Sequence, residues 1–192
     1  MRRLPILVGS LLATALLTAV VLFLVWPRPA TPGGTASSPQ AAEAADARRI
    51  KATLFYVSSD GARLVPVERE VPFGEGTLEQ ARRILMAQLG VAPPAHASAI
   101  PPGTRLRAIY VTEGGEAFVD LSDEVTKAHP GGATTELLTV YTIVGALTAN
   151  LPAITAVQIL VNGTEVDTLA GHVDLRRPLQ ADREWLGIVT RE

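Results

Sequence analysis

The sequence predicts an α+β fold. It is one domain in the order β-hairpin, helix, β-hairpin, helix, β-hairpin, with two helices packed on a mixed sheet and an N-terminal transmembrane helix ahead of it. Three observations predict this. Turn pairs at Asp60–Gly61, Gly114–Gly115 and Asn162–Gly163 are each flanked by β-branched and aromatic runs, as tight hairpins and half-buried strands require. Two stretches between them carry apolar residues at helical spacing. An uncharged run, Leu4 to Trp26, follows Arg2 and Arg3.

Residues 1–3 read as a cytoplasmic stub and 4–26 as a membrane anchor. At about 1.5 Å per residue the run spans roughly 34 Å, enough for a hydrocarbon core about 30 Å thick. The positive-inside tendency places Arg2 and Arg3 in the cytoplasm and everything after Trp26 outside it. A cleaved signal peptide has a shorter apolar region and a small-residue cleavage site. Here the run ends in Val25, Trp26, Pro27, Arg28 and Pro29, so an uncleaved single-pass anchor is expected. Residues 27–47 read as a flexible linker. Pro27, Pro29, Pro32, Pro39 and Gly33–Gly34 stand among small residues, and such a segment buries too little surface to offset its ordering entropy. As a coil it reaches about 25 Å.

Residues 48–186 then form the extracytoplasmic domain, enough chain for one core. Its first hairpin joins Ala52–Val57 to Arg63–Val71. Pro66 inside the second strand marks an edge or a bulge, because proline has no N–H for a ladder. A helix opens at Thr77, with Gln80 three residues on as a capping-box pattern. Leu78, Ala81, Ile84, Leu85 and Leu89 form its apolar face and Gly90 stops it. The second hairpin joins Leu106–Thr112 to Glu116–Leu121.

A second helix runs from about Thr135 to Asn150. Leu137, Val140, Tyr141, Val144, Leu147 and Leu151 share one face at 3.6-residue periodicity. Thr135, Glu136, Thr139, Thr142 and Asn150 supply its polar side, and Pro152 prevents continuation. The third hairpin joins Val157–Val161 to Thr164–Leu169. The turns recur at roughly fifty-residue intervals, which hints at a repeated ββα unit.

Charge and composition narrow the function. The chain is net −2, and with Arg2 and Arg3 in the cytoplasm the remainder is net −4. A mildly acidic surface argues against nucleic acid or anionic lipid as the main partner. There is no cysteine, which excludes disulfides, thiolate metal sites and lipidation through a cysteine.

Several separate blocks then carry a resemblance. They are Leu64-Val65-Pro66-Val67, Ala99-Ile100-Pro101-Pro102-Gly103-Thr104 and Ala117-Phe118-Val119-Asp120-Leu121-Ser122. Gly131–Gly132 before Glu136-Leu137-Leu138 and Val140-Tyr141-Thr142-Ile143-Val144 follow. The last are Val157-Gln158-Ile159-Leu160-Val161-Asn162-Gly163 and Thr168-Leu169-Ala170-Gly171-His172-Val173-Asp174-Leu175. Residues 51–179 resemble a GerMN domain, the module of GerM-type sporulation and spore-germination proteins. The resemblance implies an envelope-anchored extracytoplasmic module with a structural or assembly role. Many such modules sit on lipoproteins and some occur in tandem. In this chain a membrane helix stands in for the lipid. One copy is present, so any architecture needing two copies requires another subunit. A domain is not a pathway, and sporulation does not follow from the match alone.

The candidate chemistry is sparse. His172 and Asp174, two apart, would share a face in a strand as an acid–base or metal pair. The plainer reading is a side-chain hydrogen bond closing the turn after Gly171. His96 and His129 lie beside prolines without ligand spacing. Asp120, Ser122, Asp123 and Glu124 read as caps and a solvated rim, with paired carboxylates for glycan hydrolysis as the sharper reading. Ser58 and Ser59 before Asp60–Gly61 are turn chemistry. Gly131–Gly132 ahead of a helix reads as a backbone turn, with anion binding as the alternative. Asn162-Gly163-Thr164 matches a glycosylation acceptor, but the hairpin explains it.

The leading reading is therefore a non-catalytic envelope scaffold or assembly domain that binds a protein partner and uses no cofactor or metal. Pro66, Asp120, Gly171, His172 and Asp174 are its candidate interaction residues, with strand addition at the Pro66 edge as a concrete mode. A peptidoglycan- or glycan-binding module is the alternative. It needs an aromatic platform, and aromatics are only 5% of the chain, with Trp26 assigned to the anchor. An envelope hydrolase is third.

Overall fold

The structure, a computed structural model, describes residues 48–187. The expected stub, membrane anchor at 4–26 and linker at 27–47 lie outside the described residues. Among the described residues no helix is long and apolar enough to cross a membrane. The strands are β1 (Arg49–Val57), β2 (Leu64–Pro72), β3 (Leu106–Val111), β4 (Glu116–Leu121), β5 (Ala156–Val161), β6 (Thr164–Glu165) and β7 (Leu179–Gln180). The helices are α1 (Gly76–Leu89), the single turn α2 (Glu124–Lys127) and α3 (Ala133–Thr148).

The α+β class and the mixed sheet are as expected, but the strands divide into two sheets. β3, β4, β5 and β6 form one sheet in that order, with β7 also paired to β5. β4 and β5 are parallel and the other pairings antiparallel. Parallel neighbours need a long crossover, and α2 and α3 supply it. β1 and β2 form a separate antiparallel pair in unbroken register, with Phe55 opposite Pro66. Thus the two ββα passes occur in order, yet they build different sheets.

What separates the sheets is the inner edge of β1, which side chains fill. Phe55 N–H donates to Gln88 Oε1 at 2.9 Å and Gln88 Nε2 donates to Phe55 O at 2.8 Å. Asn150 treats Thr53 in the same way, with both bonds at 2.8 Å. Val57 N–H donates to Ala97 O at 2.9 Å. Alternate residues of a strand turn their backbone groups to the same edge, so two carboxamides and one carbonyl stand where another strand would pair. Phe55 and Pro66 are opposite each other, and Phe55 directs its groups away from β2. Pro66 therefore turns its nitrogen outward, where no donor is required. It marks an edge and not a bulge. Leu64 N–H on that outer edge is taken by Trp185 O at 3.2 Å.

Helix α3 lies between the layers. Val140, Ile143, Val144 and Leu147 pack with Ile109, Val119, Leu121, Val157 and Ile159 of the five-stranded sheet. Ala146 joins Ala52, Leu54, Tyr56 and Val71 of the other sheet. Leu138 joins Phe55, Leu64 and Leu186. The expected polar side of this helix is a correction: Glu136, Thr139 and Thr142 are all 0% exposed. A helix enclosed between layers has no solvent face to give its polar residues.

Gly145 permits the closest of these contacts. A Cβ there would lie 2.3 Å from Leu186 Cδ2 and 3.0 Å from the Phe55 ring.

Three smaller expectations also change. Helix α1 starts at Gly76, with Glu75 as N-cap and no side-chain cap bond. Thr77 is therefore inside the helix, and Gln80 Oε1 instead accepts Gly74 N–H at 2.8 Å. Leu78 is 45% exposed, because the buried stripe centres on Ala81, Ile84 and Gln88 and leaves Leu78 at its margin. β6 is two residues long, since Leu169 and Ala170 turn their N–H groups to Glu136. The turn before β6 is as expected, with Asn162 at φ 51° and Gly163 at φ 79°, the paired positive values of a tight hairpin.

The edge clamp is open to test. Gln88→Leu keeps the volume but leaves the buried N–H and C=O of Phe55 without partners. Each such group costs about 1–3 kcal/mol. The variant is expected to lose about 2–4 kcal/mol in a urea titration with the slope unchanged.

Candidate functional site

The most unusual group in the domain is Glu136, an acidic side chain with 0% exposure. A buried carboxylate is stable only when its oxygens are filled. Oε1 accepts Leu169 N–H at 2.7 Å and Ala170 N–H at 2.9 Å. Oε2 accepts His172 N–H at 2.8 Å and lies 3.3 Å from His172 Nδ1. Burial pushes the carboxyl pKa up, but the N–H groups of Ala170, His172, Leu169 and Val173 outweigh it and hold the acid below its ordinary value. Glu136 thus shapes the segment from Thr168 to Val173 around itself.

This arrangement sets aside the sharper reading, a His172–Asp174 pair. Residues 171–174 are not a strand, and each side chain has a different partner. His172 faces Glu136. Asp174 grips Arg176 through Nε at 2.9 Å and Nη2 at 2.7 Å, and that guanidinium holds the exposed carboxyl far below the usual carboxylate range. Gly171 is at φ 95° and its N–H goes to Thr168 Oγ1 at 2.9 Å. The turn after Gly171 is closed by a side chain, as the plainer reading held, but the acceptor belongs to α3.

Asp120 is a second structural latch. Its Oδ1 accepts Gly163 N–H at 2.7 Å and its Oδ2 accepts Arg107 Nε–H at 3.1 Å. Arg107 also reaches Asn162 Oδ1 at 3.2 Å, so β3, β4 and the β5–β6 turn meet on this carboxylate. Asp123 pairs with Lys127 at 2.7 Å and Glu124 with Arg105 at 3.2 Å; these are surface ion pairs and not caps, since Asp123 makes no side-chain cap bond. Pro66 is exposed on the β2 edge, far in sequence from Glu136. Ser58 and Asp60 share a short hydrogen bond within their turn.

The remaining histidines also bind locally. His129 Nδ1 accepts Gly131 N–H at 3.0 Å, and its Nε2 lies 3.2 Å from Thr139 Oγ1. Burial holds His129 below the ordinary imidazole value, against the attraction of Glu136 and with the repulsion of His172. The neutral ring with Nε2–H directed at Thr139 satisfies both contacts, and the Thr139 hydroxyl donates onward to Ala99 O at 2.7 Å. The His96 ring tilts against Tyr56, with centroids 5.6 Å apart.

In chemical terms, Glu136 is an anchor. Its oxygens are saturated by backbone donors, so it has no free lone pair with which to accept a proton from a substrate. His172 is 45% exposed at its side chain, and with Nδ1 directed at Glu136 only Nε2 remains to meet another molecule. Among the described residues no group of three His, Asp or Glu could hold a metal ion.

Glu136 was missed as a site residue because its charge suggested a solvent face. Helical spacing carries the opposite signal. Glu136, Val140, Ile143 and Leu147 fall at i, i+4, i+7 and i+11, one stripe, and all four are 0% exposed.

The latch predicts a pH-dependent stability. The folded pKa of Glu136 lies below the unfolded value of about 4.3. Its stabilisation is therefore complete above about pH 5 and is lost as pH falls through the folded pKa. Glu136→Gln places an amide donor against backbone N–H groups. At pH 7 it is expected to cost about 2–4 kcal/mol. In denaturant titrations the gap to the wild type should narrow toward pH 3.

Comparison with known proteins agrees with this construction. The family model described as "Germane: Sporulation and spore germination" matches residues 53–167. Among solved structures, the first GerMN domain of the sporulation protein GerM from Bacillus subtilis is 19% identical with a TM-score of 0.50, covering 70% of this chain and 98% of that one. The tandem GerMN domains of the same protein are 20% identical with a TM-score of 0.54, covering 68% of this chain and 46% of that one. The chain thus spans under half the length of the tandem structure. At these identities the likeness shows the fold. No curated protein matches the chain. With its family model covering most of the domain and its fold shared with GerMN structures, this chain belongs to the Germane, or GerMN-type, family of sporulation and spore germination.

Proposed function

We propose that this chain is a membrane-anchored, extracytoplasmic assembly domain that binds a protein partner in the bacterial envelope and catalyses no reaction. The observation that carries the reading is the use made of the buried charges. Glu136 and Asp120 are committed to backbone N–H groups and to Arg107, which fixes the loops that they hold. Rigid presentation of loops suits recognition. The anchor at 4–26 and the linker at 27–47 belong to the same proposal: they would hold the domain outside the membrane within reach of a partner. Strand addition at β2 has limited support, because Pro66 and Pro72 interrupt its outer edge and Glu68 and Glu70 charge it.

One observation favours the glycan-binding alternative. Tyr110 is 60% exposed and stands opposite Phe118 on the neighbouring strand, a pair of rings of the kind on which a sugar can stack. The two readings separate by crosslinking the full-length protein in intact cells, followed by mass spectrometry of the captured material. The expected outcome is a reproducible envelope protein that is lost on deleting residues 51–179 and kept in His172→Ala and Asp174→Ala. Recovery of wall glycan without a protein, abolished by Tyr110→Ser, would replace the proposal with the alternative.

A further inference from the structure

We propose that the partner is held in a groove between the end of α1 and residues 98–106, and that it supplies an extended apolar segment carrying acidic side chains. The inference rests on the protein-binding reading above. Among the described residues the exposed large apolar side chains are Leu78, Met86, Val91 and Tyr110. Three of the four lie on α1 or just beyond it. Met86 and Val91 are 58% and 89% exposed, and exposed apolar area concentrated beside a concave surface marks an interaction site.

Two concave surfaces adjoin here, and we take them as the two halves of one groove. Leu89 and Gly90 line both of its halves. In one half they are joined by Val91, Ile100, Pro101 and Pro102. In the other they are joined by Met86 and Leu106 together with Arg82 and Arg105. Charge is thus confined to one end, and it is basic. Arg82 contacts Glu79 through Nε at 3.5 Å, and Arg105 contacts Glu124 through Nη2 at 3.2 Å. Each guanidinium carries five N–H donors, so one such contact leaves capacity for a second carboxylate.

The domain as a whole is acidic, so a basic end on an apolar groove selects for the sign of its ligand. From Arg82 to Gly90 the helical wall is about 12 Å long, and the segment after it adds a few ångströms more. That accommodates about five residues of extended chain at about 3.3 Å each. Apolar side chains would fill the Val91–Pro102 half and a carboxylate would meet Arg82 and Arg105.

The test uses the full-length protein in lipid nanodiscs and two labelled eight-residue peptides. Both are rich in Val, Leu and Pro; one carries two Glu and the other two Lys. Wild-type protein is expected to bind the Glu peptide at least about tenfold more tightly than the Lys peptide. Arg82→Glu with Arg105→Glu should invert that preference, and Met86→Gln with Val91→Ser should weaken both peptides. All four positions are at the surface, and circular dichroism checks the fold. Equal binding of the two peptides, no binding, or binding indifferent to these variants overturns the groove. In cells, a photo-crosslinking residue at Met86 or Val91 should trap the partner. Adducts only from Tyr110 or Pro66 overturn the groove and leave the protein-binding reading standing. Adducts from no position overturn both.

Discussion

Helix α3 has no solvent face along most of its length, so Glu136 and Thr139 on it find their partners inside the protein. Three such partnerships organise the domain. Glu136 gathers the N–H groups of the segment after β6. Thr139 donates to Ala99 O and so ties down the chain that leads into the second hairpin. Asn150, just past the helix, fills the inner edge of β1 at Thr53. The helix and the residue just past it thereby address β1 and two loops through hydrogen bonds, while its apolar residues pack on both sheets. Leaving any of these buried groups unpaired costs more than the bond itself is worth, which is why such a helix imposes unique positions on its neighbours.

The same constraint explains why charged residues here are structural. A carboxylate taken out of water is tolerated when several N–H donors replace its hydration. Once they do, it is a poor proton acceptor and a good nail. Asp120 repeats the device at lower burial, locking the β5–β6 turn to β3 through Arg107. Around these fixed points some apolar and aromatic side chains remain exposed: Met86 and Val91 at the end of α1, and Tyr110 on β3. Those are recognition chemistries, in a domain that belongs to a family of sporulation and spore germination.

Much of this architecture is legible in the amino-acid order. The three turn pairs locate all three hairpins, because a glycine or asparagine at positive φ is a local requirement that no tertiary contact needs to supply. Apolar periodicity locates both long helices to within about two residues, and Pro66 marks an outer edge. The failures share one cause. Polarity sends Glu136, Thr139 and Thr142 to water in a reading of the sequence, and nothing in the spacing singles out Gln88. Gln88, Glu136 and Thr139 are each buried against a backbone group distant in sequence, such as Phe55 for Gln88, and spacing along the chain carries no record of that partner.

By itself, then, the sequence determined the three hairpins, the two long helices, their order, the family and the expectation of an envelope address, since turns, helical faces and apolar run length are local properties of consecutive residues, whereas α2 and β7 came only with the structure. Only the tertiary structure decided that the strands fall into two sheets, that β6 ends after two residues, and that His172 belongs with Glu136 while Asp174 belongs with Arg176. Those outcomes depend on which buried donors and acceptors meet across the fold. Glu136 and His172 are 36 residues apart in the chain, and it is the desolvation of one carboxylate that brings them together.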